Sequence, residues 1–221
     1  MRRPVLRLSL LLALCLPLIA PAAAFAGFDE GIDYKKIEPP MPTTVPAGKI
    51  QVTEMFWYGC PHCFHFEPKL LNWLKTKPKD VEFVRIPAVF PGRQTWEVHA
   101  RAYYTAQVLG VLPKTHEALF NAIHVDGRPE NSEKNLQAFF AKHGVDPKVF
   151  KETFNSFAVY TKVRKAADLT HRSKITGVPS MIVDGKYRVD GDLAGGQERM
   201  LQVVNFLIKH ERSARQAGAG H

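Results

Sequence analysis

The chain has 221 residues, 45% of them hydrophobic, with 30 Lys and Arg against 21 Asp and Glu, and it holds three cysteines. That apolar content builds an ample core, and no Ser/Gly tract or single-charge run marks disorder. The basic residues are dense only near Lys75–Lys79 and Lys162–Lys165; without interleaved aromatics they read as a solvated face, which excludes nucleic acid as a partner.

Arg2 and Arg3 precede an apolar run from Leu6 to Ala20, broken only by Arg7, Ser9 and Pro17, and small residues follow at Ala22–Ala24 and at Ala26. This is the pattern of a secretory signal over residues 1–24, with cleavage after Ala24 or Ala26. The run is shorter than the ~20 residues a membrane anchor needs. Cys15 lies inside it after Leu14, where a lipoprotein signal wants a small residue, so lipidation is set aside. Roughly 195 residues then remain, the size of one domain or a domain with a large insertion. With the leader's three arginines gone, 27 basic residues face 21 acids, a balance of +6.

A short entry strand is expected within 34–38, before the Pro39–Pro46 stretch. Ile50 to Tyr58 alternates and is rich in β-branched and aromatic residues, so it reads as a central strand. Gly59 turns the chain and a helix starts around Cys60, with Pro61 in its first turn, where a missing N–H costs nothing. Cys63, Phe66, Leu70, Trp73 and Leu74 form its buried stripe, and Pro68 should kink it. A second strand, Val81 to Ile86, completes a strand–helix–strand unit with parallel strands. Between residues 95 and 160 several short helical patterns appear and no strand: Trp96 to Gln107, then Leu119 to Ile123, then Leu136 to Phe140, then a helix capped by Asp146-Pro147. A long helix from Ser156 to Lys174 returns to the sheet. Met181 to Val183 and Lys186 to Val189 form a hairpin around Asp184-Gly185. Gly195-Gly196 opens a final amphipathic helix, and the tail after Ser213 should fray. The fold class is α/β: a sheet domain over 27–94 and 161–214, an all-helical insertion over 95–160, and a frayed tail over 215–221.

The chemistry centres on Cys60-Pro61-His62-Cys63, the only cysteines of the exported chain. A bond between them closes too small a loop to stabilise the fold by chain entropy, so the pair is there to react. A zinc site wants four ligands, usually with a second Cys/His pair, and no second cysteine pair exists; His65 is too close along the chain to complete a tetrahedral set with both sulfurs. Haem attachment needs His after the second cysteine, and Phe64 stands there. No metal or cofactor is expected. Thiol–disulfide exchange needs a thiolate, and Cys60 at a helix N-terminus faces unpaired N–H groups and the positive dipole end, with His62 as a third favourable partner. A stabilised thiolate favours the dithiol, which makes the disulfide an oxidant.

Glu54 falls in phase with Ile50, Val52, Phe56 and Tyr58, so it points into an apolar face where an ionised carboxylate needs a partner. Arg85, in phase with Val81 and Phe83 on the next strand, is that partner. Spacing alone leaves open whether Glu54 serves the sulfurs or only forms a buried ion pair. Pro179 heads a strand after Val178, a place where proline is sterically allowed. The alternative is a cis bond beside the cysteines that leaves Val178's backbone free to pair with an extended peptide.

The segments Glu54-Met-Phe-Trp-Tyr-Gly-Cys60-Pro-His-Cys63, Gly177-Val-Pro179 and Val183-Asp-Gly-Lys-Tyr187 resemble the DsbA family of periplasmic thiol oxidases, in the thioredoxin superfamily. The resemblance covers essentially the whole exported chain. It implies a thioredoxin-like fold with an inserted helical domain. It implies that Cys60 is the nucleophile, Cys63 the resolving partner, His62 the stabiliser of the Cys60 thiolate, Pro179 a cis-proline facing the pair, and Glu54 the family's buried acid. Arg85 matches more loosely, since relatives can carry lysine there. A depressed cysteine pKa and an oxidising potential are established traits of that family, so neither is a deduction from this chain. Substrates would be reduced, unfolded exported proteins in the periplasm. A DsbB-like, quinone-linked inner-membrane partner would reoxidise the protein, which would act as a monomer. Two other readings are an isomerase or reductase, and a non-catalytic chaperone. Isomerases of the superfamily usually add a dimerisation domain, whereas only about 25 residues precede the first core strand here.

Overall fold

The structure, a computed structural model, describes residues 27–218. The expected signal over 1–24 and its cleavage points lie outside the described residues. In chain order the elements are β1 (Lys35–Lys36), β2 (Ile50–Phe56), α1 (Pro61–Thr76), β3 (Val81–Pro87), α2 (Gln94–Val108), α3 (Leu112–His124), α4 (Glu133–Lys142), α5 (Pro147–Phe154), α6 (Phe157–Arg172), β4 (Ser180–Val183), β5 (Tyr187–Asp190), α7 (Gly191–Ala194) and α8 (Gln197–Gly218).

The strands form one sheet in the order β1-β5-β4-β2-β3, with β2 and β3 parallel and the other pairs antiparallel. Every residue of β2 is buried, as befits a central strand. The hairpin turns through Asp184 and Gly185, both at positive φ (52° and 68°), the geometry that two-residue hairpin loops require. A Cβ on Gly185 would lie 2.2 Å from the Met41 carbonyl oxygen, so that position also needs glycine for close backbone approach.

Two cores flank the sheet. One packs Ile50, Val52, Val81, Met181 and Val183 against Phe66, Leu70 and Trp73 of α1 and the apolar face of α8. The other packs Met55, Phe56, Tyr58, Ile86 and Ile182 against α2–α6. Met181 and Val183 therefore face one core and Ile182 the other, the two-residue alternation of a strand. The phase-mates of Glu54 divide: Ile50 and Val52 lie in one core, Phe56 and Tyr58 in the other. Glu54 thus sits, 1% exposed, where the two cores meet rather than within a single apolar face.

Helices α2–α5 arise as the helical patterns between 95 and 160 predict, and α6 runs unbroken through the 160/161 boundary drawn from sequence. α1 continues through Pro68 as one element. The expected frayed tail is corrected as far as the described residues go: α8 stays helical through Gly218. Arg212 pairs bidentately with Asp80 at 2.9 Å, and Arg215 grips both Asp184 oxygens at 2.7 and 2.8 Å and the Lys49 carbonyl at 3.0 Å. Those long-range bonds hold the last turns, which local composition alone would leave to fray.

Candidate active site

The two sulfurs occupy different environments because a helix begins between them. Cys60 is the N-cap of α1, extended at φ −91° and ψ 115°, and Pro61 follows at the first helical position. Its own N–H donates to the Trp57 carbonyl at 3.0 Å, and its carbonyl accepts from Phe64 at 3.1 Å. Gly59 precedes it under the Trp57 indole; a Cβ there would lie 2.4 Å from the ring. That indole stacks on Trp96, with centroids 4.4 Å apart and planes 7° off parallel, so the inserted domain helps fix the approach to Cys60.

Cys60 keeps 8% exposure and Cys63 none, and both are free thiols. The Cys60 thiol is lowered from 9.0 to about 6. The largest cause is the hydrogen bond from the Cys63 side chain; burial opposes it, and the N–H groups of Cys63 and His62 and the charge of His62 add to it. Burial pushes Cys63 well above 9.0, and the Cys60 sulfur and Glu54 push the same way. The helix terminus and His62, the causes expected from sequence, both contribute, but the partner sulfur is the larger influence on Cys60. His62 is exposed, and its carbonyl accepts from Gln197 at 2.7 Å.

The Val178–Pro179 bond is cis. The Val178 carbonyl lies 3.3 Å from Cys60 Sγ and accepts from it while Cys60 is protonated, so of the Val178 backbone groups expected to stand free, the carbonyl does so only once that thiol has lost its proton. His62, His65, Val178, Pro179, Gly191 and Gln197 border a cavity of 470 Å³ beside the cysteines. Among the described residues no group of three or more His, Cys, Asp or Glu is placed to hold a metal ion.

Glu54 and Arg85 stand directly opposite in the β2–β3 register and pair at 2.8 Å. A second acid that sequence reasoning passed over, Glu67 of α1, meets the same guanidinium at 2.5 Å. Its place four residues after Cys63, on the helix's buried side, was the available signal. His116 of α3 lies 3.7 Å from Glu67, beyond hydrogen-bond length, and its Nδ1 pairs with the Tyr58 hydroxyl at 2.7 Å. Nothing local marked His116 as a neighbour of β2.

One cation between two buried carboxylates divides them. Burial raises Glu54 from 4.5 to about 7; Arg85 opposes this and the Glu67 charge reinforces it. Burial would raise Glu67 too, but His116 and Arg85 outweigh it and bring it below 4.5. Glu54 is therefore the carboxyl that holds a proton near neutrality, close enough to Cys63 to influence its ionisation.

Alkylation of the reduced protein by iodoacetamide should follow the Cys60 thiolate, with half-maximal rate near pH 6 and one label per chain. A half-point at the 8.5–9 of an ordinary thiol, or equal labelling of Cys63, would contradict this assignment.

The DSBA-like thioredoxin domain family model matches residues 51–207. The chain is 46% identical to a protein named Thiol:disulfide interchange protein DsbA from Azotobacter vinelandii, over 79% of this chain and 82% of that one. It is 42% identical to the protein of that name from Pseudomonas aeruginosa, over 89% and 92%. The crystal structure of Pseudomonas aeruginosa DsbA superposes with a TM-score of 0.79 and 42% identity, covering 86% of this chain and 97% of that one.

Proposed function

From the premise that this chain belongs to the DsbA family of thiol:disulfide oxidoreductases, we propose that it works in the periplasm, donating the Cys60–Cys63 disulfide to reduced, unfolded exported proteins. The observation that carries the direction of transfer is the contrast between the sulfurs: a thiolate-prone Cys60 that keeps a little exposure and a fully buried Cys63 that resists ionisation.

A substrate thiolate attacks Cys60 Sγ of the disulfide. The Cys60–Cys63 bond breaks, and Cys63 leaves with the electron pair and takes a proton, for which Glu54 is the nearby carboxyl that still holds one near neutrality. A second substrate thiolate then attacks the substrate sulfur of the mixed disulfide and expels Cys60 as thiolate. The substrate loses two electrons and the protein gains them as a dithiol. The last step is favourable because the leaving group is the stabilised anion. A fall from 9.0 to about 6 converts, at about 30 mV per 1.4 kcal/mol, to no more than roughly 90 mV of oxidising bias, less what solvent screening at the partly exposed sulfur removes.

In this reading Pro61 sets the first turn of α1 and His62 lends its N–H and charge to the Cys60 thiolate. Val178 and Pro179 line the substrate's path. A DsbB-like, quinone-linked inner-membrane partner returns the dithiol to the disulfide, and the protein acts as a monomer without cofactor. The leader-like N-terminus supports export.

The test is the equilibrium potential of the Cys60–Cys63 pair, titrated against glutathione. A disulfide far more oxidising than glutathione is expected. A value near that of a thioredoxin would overturn the donor role and favour a reductase or isomerase.

A further inference from the structure

A second groove, of 630 Å³, is bordered by Ile175, which precedes in the chain the Thr176–Pro179 segment lining the cavity beside His62. Its apolar walls are Val89 and Phe90 from the β3–α2 loop, Tyr160, Val163 and Ala167 from α6, and Ile175, with polar and charged side chains completing the lining. The Val89 N–H donates to Thr170 Oγ1 at 3.0 Å, which pins the loop to the helix. Tyr160, Arg164, Ala167 and His171 recur at helical spacing on one side of α6. Phe157 extends this stripe by one turn. Phe157 and Tyr160 are 81% and 47% exposed with their rings stacked at 6.4 Å, a contiguous aromatic patch rather than scattered surface hydrophobics.

The charge around these walls is predominantly basic. Arg93 and Arg164 both border the groove, and among the described residues neither side chain is held in an ion pair. Glu97, the one acid at the rim, is already engaged by Arg101 at 3.3 Å. Two arginines beside an apolar floor suit carboxylates set next to apolar side chains. The groove adjoins the redox site through one stretch of chain: Ile175 lines it, Thr176 to Pro179 line the cavity beside His62, and the Val178 carbonyl meets Cys60.

We infer that this groove is a second docking site for the polypeptide being oxidised, selecting segments in which acidic residues alternate with aromatic or aliphatic ones. The inference rests on the donor reading above and names a substrate class for it.

Fluorescence anisotropy with a labelled, cysteine-free peptide built on Glu-Phe-Leu-Glu tests the groove without any redox step. Binding should weaken at least tenfold when lysines replace the glutamates. It should also weaken at least tenfold in the Arg93→Glu/Arg164→Glu variant, and several-fold in Tyr160→Ser, which leaves the charge intact. All three positions are exposed, and thermal unfolding should confirm that the variants fold. Equal binding of the acidic and basic peptides, or binding unaffected by the double substitution, would overturn the proposal. So would concentration-dependent dimerisation in sedimentation that the double variant abolishes, since a second copy would then own the groove. Oxidation of an uncharged dithiol peptide, run in parallel, reports on the donor reading alone and should proceed at the same rate in the parent and the double variant.

Discussion

A protein left with Cys60 alone, by Cys63→Ser, is expected to accumulate as a stable mixed disulfide when offered oxidised glutathione or a disulfide-bonded peptide. A protein left with Cys63 alone, by Cys60→Ser, should remain unmodified on the same timescale. Cys60 combines residual exposure with a thiol lowered to about 6, so near neutrality it is largely thiolate and reachable. Cys63 is fully buried and held protonated, and the thiol form is not a nucleophile. Neither variant can form the internal disulfide, so both should lose substrate oxidation by on the order of 10³-fold or more. Intact-mass measurement after quenching separates the two, since only the Cys60-containing protein should gain the adduct. Comparable adduct formation at Cys63 would mean that the roles assigned to the sulfurs are wrong.

Arg85→Met should be the most damaging change away from the cysteines. It leaves Glu54 and Glu67 buried against each other without the cation that both contact. Removing one member of a buried ion cluster typically costs about 3–5 kcal/mol. The loss should depend on pH, with a sign that follows from proton counts. Glu54 is raised from 4.5 to about 7, so between those values the folded protein binds more protons there than the unfolded chain, and stability falls as pH rises through that window. Glu67 is lowered, so its contribution is present above 4.5 and lost as pH falls below it. Without Arg85 both carboxyls move upward, the window widens, and the variant should be hurt more at pH 8 than at pH 5. Urea midpoints at the two pH values measure this. A variant equally destabilised at both would indicate lost packing of the Arg85 side chain rather than lost charge compensation.

The Glu54–Arg85 pair was legible because it depends on short-range rules. A strand–helix–strand unit makes two neighbouring parallel strands, and their two-residue period places Arg85 beside Glu54 once the hydrophobic positions are aligned. The hairpin at Asp184-Gly185 and the helix start at Cys60-Pro61 were legible for the same reason, each being set by backbone preferences of adjacent residues. Glu67 was half-legible: its helical phase put it on the buried side, but phase could not say what it meets there. His116 was not legible at all. It comes from the inserted helices, 58 residues from its partner Tyr58, and no local pattern predicts which face of an inserted helix meets the sheet. The last turns of α8 misled for a related reason, because Arg212 and Arg215 are held by acids remote in the chain.

By itself the sequence determined the reactive unit: two cysteines at a helix start, a leader-like N-terminus, a central strand carrying an acid, and a hairpin preceded by Val178-Pro179. These follow from residue type and spacing of a few positions. Only the tertiary structure decided how charge and protons are distributed around that unit. Which carboxyl holds the proton and which carbonyl meets Cys60 depend on contacts between distant segments, and the energies of ionised groups are set by the burial and partners that those contacts create.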